Sequence, residues 1–242
     1  MLTRRRFGTG ALAALAGAAA GGVGGCAGPV HILRYRMRLD VDTPEGLKSG
    51  ASVIEQQAAD GPRSLAGIGA GIGIVFAQRG EAVAVDLGQR GMLFCLLARD
   101  GQRKASKQEG DLIFAAFPGP SRPYIDIMKQ LAATKPKADL PPDILPMLVR
   151  FRDINDPKTV ERVDPNNLAA AFGQGVRLAR ASIEITNDPV TTGIEKKLPW
   201  LRAVGKERGT LIPNPPRLLK DTTPIQLVSP GDFSSIPAEK AK

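Results

Sequence analysis

The sequence predicts an α+β fold: a mostly antiparallel β meander of about five to seven strands, packed with a few short helices and followed by a Pro-rich C-terminal tail. Three observations support this prediction. In the segment that begins at His31, apolar and charged residues alternate strictly from Leu33 to Asp42, which is typical of a half-buried strand. Short turns separate the apolar runs up to Leu97, as in antiparallel connections. One later segment has the spacing of an amphipathic helix, with apolar residues at Tyr124, Ile127, Met128 and Leu131.

The first five strands are predicted to form one continuous meander. The first strand ends at the turn Thr43-Pro44-Glu45-Gly46, and Leu47 to Gln57 returns beside it as the second strand. Arg79-Gly80 and Gly88-Gln89-Arg90-Gly91 supply the later turns. Three strands are predicted around these turns, over residues 72–77, 81–87 and 92–97. A short apolar run at 111–117 fits a helix or a strand equally well.

Beyond residue 140 the pattern alternates short helices with strands. A strand is predicted from Met147 to Arg152, and a short helix from Leu168 to Phe172 that ends at a glycine. The strand from Val176 to Thr186 changes its apolar phase, so we expect a β-bulge near Ala179 to Ala181. A further helix is predicted to open at Thr191-Thr192.

The first 25 residues have the three parts of an export signal peptide. Thr3-Arg4-Arg5-Arg6-Phe7 supplies positive charge, and residues 8–25 contain only Gly, Ala, Thr, Leu and Val. The charged segment resembles the twin-arginine export signature, in which Ser or Thr precedes two Arg, any residue, and Phe. Val23-Gly24-Gly25-Cys26 resembles a lipobox, which places an aliphatic and two small residues before Cys. These resemblances imply export directed by Arg4, Arg5 and Phe7, cleavage before Cys26, and attachment of a diacylglycerol to the Cys26 thiol.

Two other interpretations of this segment are open. A plain secretory signal would release a soluble periplasmic protein, whereas an uncleaved segment would be an N-terminal membrane anchor. The five Gly residues within 17–25 make a poor, weakly apolar helix, which disfavours the anchor. The lipoprotein interpretation places the protein in the bacterial cell envelope, anchored in a membrane and facing the periplasm.

This interpretation divides the chain into four parts. They are a signal peptide at 1–25, a lipidated tether at 26–30, a single α+β domain at 31–205, and a Pro-rich tail at 206–242. Removal of the three signal arginines lowers Lys plus Arg from 33 to 30 against 24 Asp plus Glu, and the net charge from +9 to +6. We expect the tail, with its six prolines, to be extended or disordered. Within it, Leu211-Ile212 and Ile225 to Val228 are apolar enough to dock on the domain.

Few side chains of the mature chain are suited to catalysis or ligand binding. His31 is the only histidine, and Cys95 lies in an apolar run, so we expect an inert buried thiol without a disulfide. No nucleophile elbow, phosphate loop or metal-spaced set of His and Cys occurs. Gly67 to Gly73 lacks the strand-then-helix context of a dinucleotide site, and the loop from Asp153 lacks the spacing of a calcium loop. We therefore predict no cofactor and no catalytic or metal-binding residue.

Three arginines on one face of the first strand suggest a nucleic-acid surface at first sight. Arg34, Arg36 and Arg38 share this face with Asp40 and Asp42, so the row is not purely positive. No aromatic residue interleaves with them, as a platform for stacked bases requires. The sequence therefore predicts a solvated strand face and no nucleic-acid partner.

Three segments resemble a family of uncharacterised bacterial proteins. They are Tyr35 to Val53, Arg79 to Leu97 and Pro146 to Leu201. The last contains the most specific motifs, Phe151-Arg152-Asp153-Ile154-Asn155-Asp156-Pro157 and Pro189-Val190-Thr191-Thr192-Gly193-Ile194-Glu195. The resemblance covers half of the mature chain and implies no activity, cofactor or catalytic residue.

The sequence leads to three hypotheses for function. The first is a non-enzymatic envelope lipoprotein that binds a partner protein of the envelope or has a structural role. The second is a carboxylate-dependent hydrolase or transferase of the cell envelope, with Asp153, Asn155, Asp156 and Glu184 as the candidate polar site. The third is a membrane-surface domain held through Cys26 and assisted by its positive charge. We favour the first, because exposed carboxylates in turns and on strand faces are common in proteins.

Overall fold

The computed structural model describes residues 29–60, 74–99, 112–120, 123–204, 209–213 and 223–236. Nine strands lie in these ranges: β1 (His31–Thr43), β2 (Gly46–Asp60), β3 (Ile74–Arg79), β4 (Val83–Asp86), β5 (Met92–Arg99), β6 (Lys137–Asp139), β7 (Pro146–Phe151), β8 (Val160–Val163) and β9 (Arg177–Ile185). Four α-helices accompany them: α1 (Leu112–Ala116), α2 (Tyr124–Thr134), α3 (Ala169–Phe172) and α4 (Leu201–Val204).

The strands form two antiparallel sheets. The larger sheet has the order β3-β2-β1-β9-β6, and the smaller has the order β4-β5-β7-β8. All of the strand pairs within them are antiparallel. The predicted class, α+β with mostly antiparallel strands and a few short helices, is confirmed.

The five strands predicted as one meander are divided between the two sheets. β1, β2 and β3 pair in the larger sheet, whereas β4 and β5 begin the smaller one. The cause is apolar content on both faces of β5: Cys95 faces one hydrophobic core and Phe94 faces another. A strand that is apolar on both faces needs a packed layer on each side. The larger sheet has charged residues on one face and so offers β5 a packed core on its other face only. β4 and β5 instead form a separate sheet that lies between two packed layers.

β1 shows the predicted alternation and defines two faces of the larger sheet. Its inner face is buried and consists of Leu33, Tyr35, Met37, Leu39 and Val41. Its outer face consists of Arg34, Arg36, Arg38, Asp40 and Asp42. On β9, Arg180 lies opposite Asp40 whereas Leu178 lies opposite Val41, so Ala179 is an extra residue. The β-bulge predicted near residues 179–181 is therefore confirmed.

The two sheets pack face to face around the first hydrophobic core. Side chains of the smaller sheet that meet the inner face include Val83, Val85, Leu93, Cys95 and Leu148. Tyr124 and Met128 of α2 are buried in the same core. The backbones of β2 and β4 approach closely at Gly50, where a Cβ would overlap the carbonyl oxygen of Ala84. Glycine at this position is what lets the sheets approach so closely.

The opposite face of the smaller sheet carries a second hydrophobic core. Its buried side chains include Phe94, Met147, Val149, Phe151, Ile194, Leu198, Trp200, Leu211, Val228 and Phe233. Phe233 is 0% exposed, and its ring centroid lies 5.8 Å from that of Phe94 and 5.6 Å from those of Phe151 and Trp200. The smaller sheet is therefore the middle of three layers, with the C-terminal segments as the third.

The described parts of the Pro-rich tail are packed rather than extended. Leu211 and Val228 are buried in the second core, so both predicted docking segments contact the domain. The Leu211 N–H donates to the Val228 carbonyl at 2.8 Å and joins the two segments. The Ala82 N–H donates to the Phe233 carbonyl at 2.8 Å. Prolines that suggested an extended chain instead begin the 3-10 turns Pro224–Leu227 and Pro230–Asp232. A fixed φ and a missing N–H are no disadvantage at the first position of a helical turn.

Two local predictions are settled by the structure. The ambiguous apolar run near residue 112 is helix α1. The helix predicted after Thr191 is only the 3-10 turn Ile194–Lys196, because Gly193 has a φ of 109° and cannot continue a right-handed helix on its N-terminal side.

Candidate functional site

The outer face of the larger sheet is a network of paired charges. The pairs are Arg34 with Glu55, Arg36 with Glu184 and with Asp188, Arg38 with Asp40, Arg177 with Asp42, and Arg180 with Asp139. Each of the three arginines of β1 thus has a carboxylate partner. This face presents little net positive charge, and its partly exposed pairs each contribute at most about 1 kcal/mol to stability.

Glu55 is buried although it belongs to the outer face. Its carboxylate accepts hydrogen bonds from Arg34 Nε at 2.8 Å and from Gln57 Nε2 at 2.7 Å. Burial alone would raise the pKa of Glu55, but the hydrogen bonds from Gln57 and Arg34 bring the pKa below its ordinary value. Glu55 is therefore held as an anion, which suits an ion-pair partner and not a general acid.

Residues 186–193, which we call the crossing segment, run over part of the outer face. At one end the Thr186 N–H donates to the carbonyl of Arg34 on the β9 side of β1. At the other end Thr191 bonds the free edge of β2, because its N–H donates to the Val53 carbonyl and its hydroxyl accepts the Val53 N–H. Asp188 contacts Arg36 between these points. The crossing segment thereby covers Val53 and carries the chain to the second core.

Three residues of the predicted polar site lie in the loop between β7 and β8. Asp153 Oδ1 accepts the Asn155 N–H at 2.9 Å, which is an Asx turn. Asp156 Oδ1 accepts the Lys158 N–H at 3.0 Å and caps the 3-10 turn Pro157–Thr159. These carboxylates stabilise the loop that contains them.

The fourth residue of that predicted site, Glu184, lies on β9 of the larger sheet. Its Oε2 is 3.6 Å from Arg36 Nη1. Among the described residues, Glu184 and the loop of Asp153 and Asp156 share no hydrogen-bond or ion-pair partner. The residues of the predicted polar site thus lie on two elements, the loop between β7 and β8 and strand β9.

Glu81 is a buried carboxylate that no sequence motif identifies. It is 4% exposed, its Oε1 accepts the Gly193 N–H and its Oε2 accepts the Ile194 N–H, each at 2.9 Å. Its main-chain carbonyl accepts the Ser52 hydroxyl at 2.7 Å. Glu81 thus joins β2, the start of the smaller sheet and the segment that enters the second core.

Burial raises the pKa of Glu81, while the backbone hydrogen bonds from Ile194 and Gly193 lower it and the nearby charge of Glu195 raises it. A raised carboxyl pKa is common in active sites. Here both carboxylate oxygens already accept main-chain hydrogen bonds, so Glu81 fixes the chain rather than offering a proton to a substrate. In the sequence, Glu81 directly precedes the apolar run Ala82-Val83-Ala84-Val85, but this pattern does not indicate its partners.

A cavity of about 220 Å³ opens at the start of β1. Its apolar lining comes from Ile32, Leu33, Ala132 and Ile185, and Arg34 and Thr186 add polar atoms. The volume is below the usual range for small-molecule sites, and the Arg34 guanidinium is already bonded to Glu55. The cavity therefore provides apolar surface without a reactive group.

Cys26, Arg4, Arg5 and Phe7 lie outside the described residues. The predicted lipidation and export signals accordingly stay predictions. Cys95 is a free, buried thiol, as predicted, and burial strongly raises its pKa, which disfavours the reactive thiolate.

No α-helix in the described ranges combines the length and the apolar character needed to cross a bilayer. No group of three His, Cys, Asp or Glu side chains in the same ranges is placed to hold a metal ion.

Comparison with known proteins adds no relative. No family model matches the chain, and neither a curated protein nor a solved structure matches it significantly. The resemblance to a family of uncharacterised bacterial proteins therefore stays a prediction. The case for a function rests on the residues of this chain.

Proposed function

We propose that this protein is an exported lipoprotein of the bacterial cell envelope, anchored through Cys26, whose α+β domain has a non-enzymatic binding or structural role. The observation that carries the proposal is Val23-Gly24-Gly25-Cys26 at the end of a basic and then apolar leader. An acyl chain contributes about 0.8 kcal/mol per buried CH₂, and two or more chains hold a protein stably on a membrane.

The start of the folded domain supports this proposal. Only residues 27–30 separate Cys26 from β1, which begins at His31. Five residue steps span at most about 18 Å, because an extended chain covers about 3.6 Å per residue. A domain held so near its anchor works at the membrane surface.

The carboxylates support a non-enzymatic role. Acid–base catalysis needs a carboxyl group that can reach the substrate. Asp153 and Asp156 bond their own loop, Glu184 lies beside Arg36, and both oxygens of Glu81 accept main-chain hydrogen bonds. The alternative of a carboxylate-dependent hydrolase or transferase requires an envelope activity that is lost in Asp153→Asn or Glu184→Gln without loss of folding.

Metabolic labelling with a fatty acid tests the lipid anchor. We expect the wild type to incorporate the label and to sediment with membranes, and Cys26→Ser to do neither. Cys95→Ala is the matched control, because it removes the other cysteine and should keep the label. Labelling of Cys26→Ser equal to that of the wild type would contradict the proposal.

The export route is tested by conservative changes in the charged segment. Arg4→Lys combined with Arg5→Lys should leave the protein in the cytoplasm, because the twin-arginine signature requires that pair. Arg6→Lys, at the position where the signature accepts any residue, should be exported normally. Normal export of the double variant would exclude this route while leaving lipidation at Cys26 open.

A further inference from the structure

Two large apolar side chains are exposed where the domain begins. Val30 is 58% exposed and Ile32 is 51% exposed. Ile32 also lines the cavity, together with Ala132 of α2 and Ile185 of β9. Exposed apolar side chains beside an apolar cavity form a patch of the kind that contacts a membrane or a partner.

Two exposed lysines lie beside the last residues of β9. Lys135 ends α2, and Lys137 begins β6 opposite Glu184, the residue before Ile185. The Pro136 carbonyl between them accepts the N–H of Ile185, a residue that lines the cavity, at 3.0 Å. The register places Lys137 level with Arg36 of β1. Glu184 is within 3.6 Å of Arg36, so this carboxylate already has a cationic partner. Cations beside exposed apolar groups suit a surface of anionic lipid headgroups.

The short tether also favours this end of the domain as the part nearest the membrane. β1 has 13 residues and is about 43 Å long at about 3.3 Å per residue. The turn at its far end is therefore well beyond the reach of about 18 Å that residues 27–30 allow. If Cys26 carries the lipid, the start of β1 is the part of the sheet that must stay near the bilayer.

We infer that the end of the domain formed by Val30, Ile32, Lys135 and Lys137, which we call the membrane-facing end, lies against an anionic lipid surface. Val30 and Ile32 contact the boundary between headgroups and acyl chains, and the two lysines contact headgroup phosphates. This inference rests on the proposed lipid anchor at Cys26 and adds the orientation of the domain on the membrane.

Site-specific fluorescence on the mature lipoprotein tests this orientation. Ile32→Cys and Leu47→Cys each receive an environment-sensitive dye, since Leu47 is 59% exposed but lies on β2 opposite Asp42, near the far end of β1. The Cys95 thiol is buried and should not react under mild conditions, and the proposed lipidation would block Cys26. The labelled proteins are reconstituted on vesicles of phosphatidylethanolamine and phosphatidylglycerol that contain nitroxide-labelled lipids.

We expect several-fold stronger quenching of the dye at position 32 than at position 47. Val30→Cys should behave as Ile32→Cys does, which guards against a local effect of one substitution. In the dye-labelled Ile32→Cys protein, Lys135→Glu with Lys137→Glu should reduce the quenching, although the protein still floats with the vesicles. On phosphatidylcholine vesicles the two lysine changes should have little effect.

Different results would contradict the lipid anchor and the orientation of the domain. If the protein floats with vesicles but positions 32 and 47 are quenched equally, the orientation is wrong and the anchor stands. If neither position is quenched on a floating protein, a protein partner or solvent covers this end and the orientation is again wrong. If the mature protein does not float at all, both the anchor and the orientation are wrong.

Discussion

The two sheets of this domain expose their surfaces differently. The larger sheet buries the inner face of β1 and covers the outer face with ion pairs such as Arg34–Glu55. The smaller sheet is buried on both faces, with Cys95 in one core and Phe94 in the other. A half-buried sheet can be identified from the alternation of apolar and charged residues within each strand. The burial of a sheet in the middle of three layers depends instead on segments far along the chain.

Phe233→Ala should have the largest effect, because it removes the centre of the second core. We expect the free energy of unfolding to fall by about 3–5 kcal/mol, the usual cost of deleting a buried aromatic ring. Chemical denaturation measures this change. Leu47→Ala, on the larger sheet and 59% exposed, is the control and should change stability by about 0.5 kcal/mol or less. Similar small effects for both variants would show that the tail is not part of the core.

Gly50→Ala tests how closely the two sheets pack. The new Cβ would overlap the Ala84 carbonyl oxygen and lie 2.8 Å from its carbonyl carbon, and backbone atoms cannot rotate away. We expect a loss of about 1–3 kcal/mol, typical of overpacking. Gly119→Ala meets no atom within 4 Å and is the matched control in thermal and chemical denaturation. A stability of Gly50→Ala equal to that of the control would mean that the sheets are farther apart.

The contributions of Glu81 and Glu55 to the free energy of unfolding should depend on pH in opposite directions. The folded pKa of Glu81 is raised above its ordinary value of 4.5, so its contribution falls as the pH rises from about 4.5 through the folded pKa. The folded pKa of Glu55 is lowered, so its contribution is present above about pH 4.5 and is lost as the pH falls through the folded pKa.

Unfolding curves of Glu81→Gln and Glu55→Gln at a series of pH values from about 3 to 7 check both signs. Relative to the wild type, Glu81→Gln should lower the free energy of unfolding least at the upper end of this range. Glu55→Gln should instead lower it most there. The same pH trend in both variants would contradict the different surroundings of the two carboxylates.

The smallest effect is expected on the outer face itself. Arg180→Ala and Asp139→Ala break a pair whose side chains are 49% and 66% exposed, with 2.6 Å between Arg180 Nε and Asp139 Oδ1. Their coupling in a double-mutant cycle should be below about 1 kcal/mol and should decrease with added salt. A coupling of several kcal/mol would mean that this face is covered by something in solution.

The elements with local signals were predictable from the sequence. Alternation identified β1 and its two faces, and the change of apolar phase identified the bulge at Ala179. Both signals come from residues within one strand. The α+β class followed from the same short-range patterns.

The missed features depend on contacts between distant residues. The burial of Phe233 requires Phe94 and Phe151, which lie 139 and 82 residues earlier in the chain. Glu81 binds the N–H groups of Gly193 and Ile194, and nothing near Glu81 in sequence indicates that contact. The candidate polar site combines residues 31 positions apart: Asp153 lies in the loop between β7 and β8 of the smaller sheet, and Glu184 lies on β9 of the larger sheet.

The intact mass of the mature protein tests the central claim about function most directly. The proposed function predicts a chain from Cys26 to Lys242 that carries a diacylglycerol, with or without an acyl group on its new amine. Cys26→Ser should lack that added mass. A wild-type protein that keeps residues 1–25, or that begins at Cys26 or elsewhere without lipid, would contradict the claim.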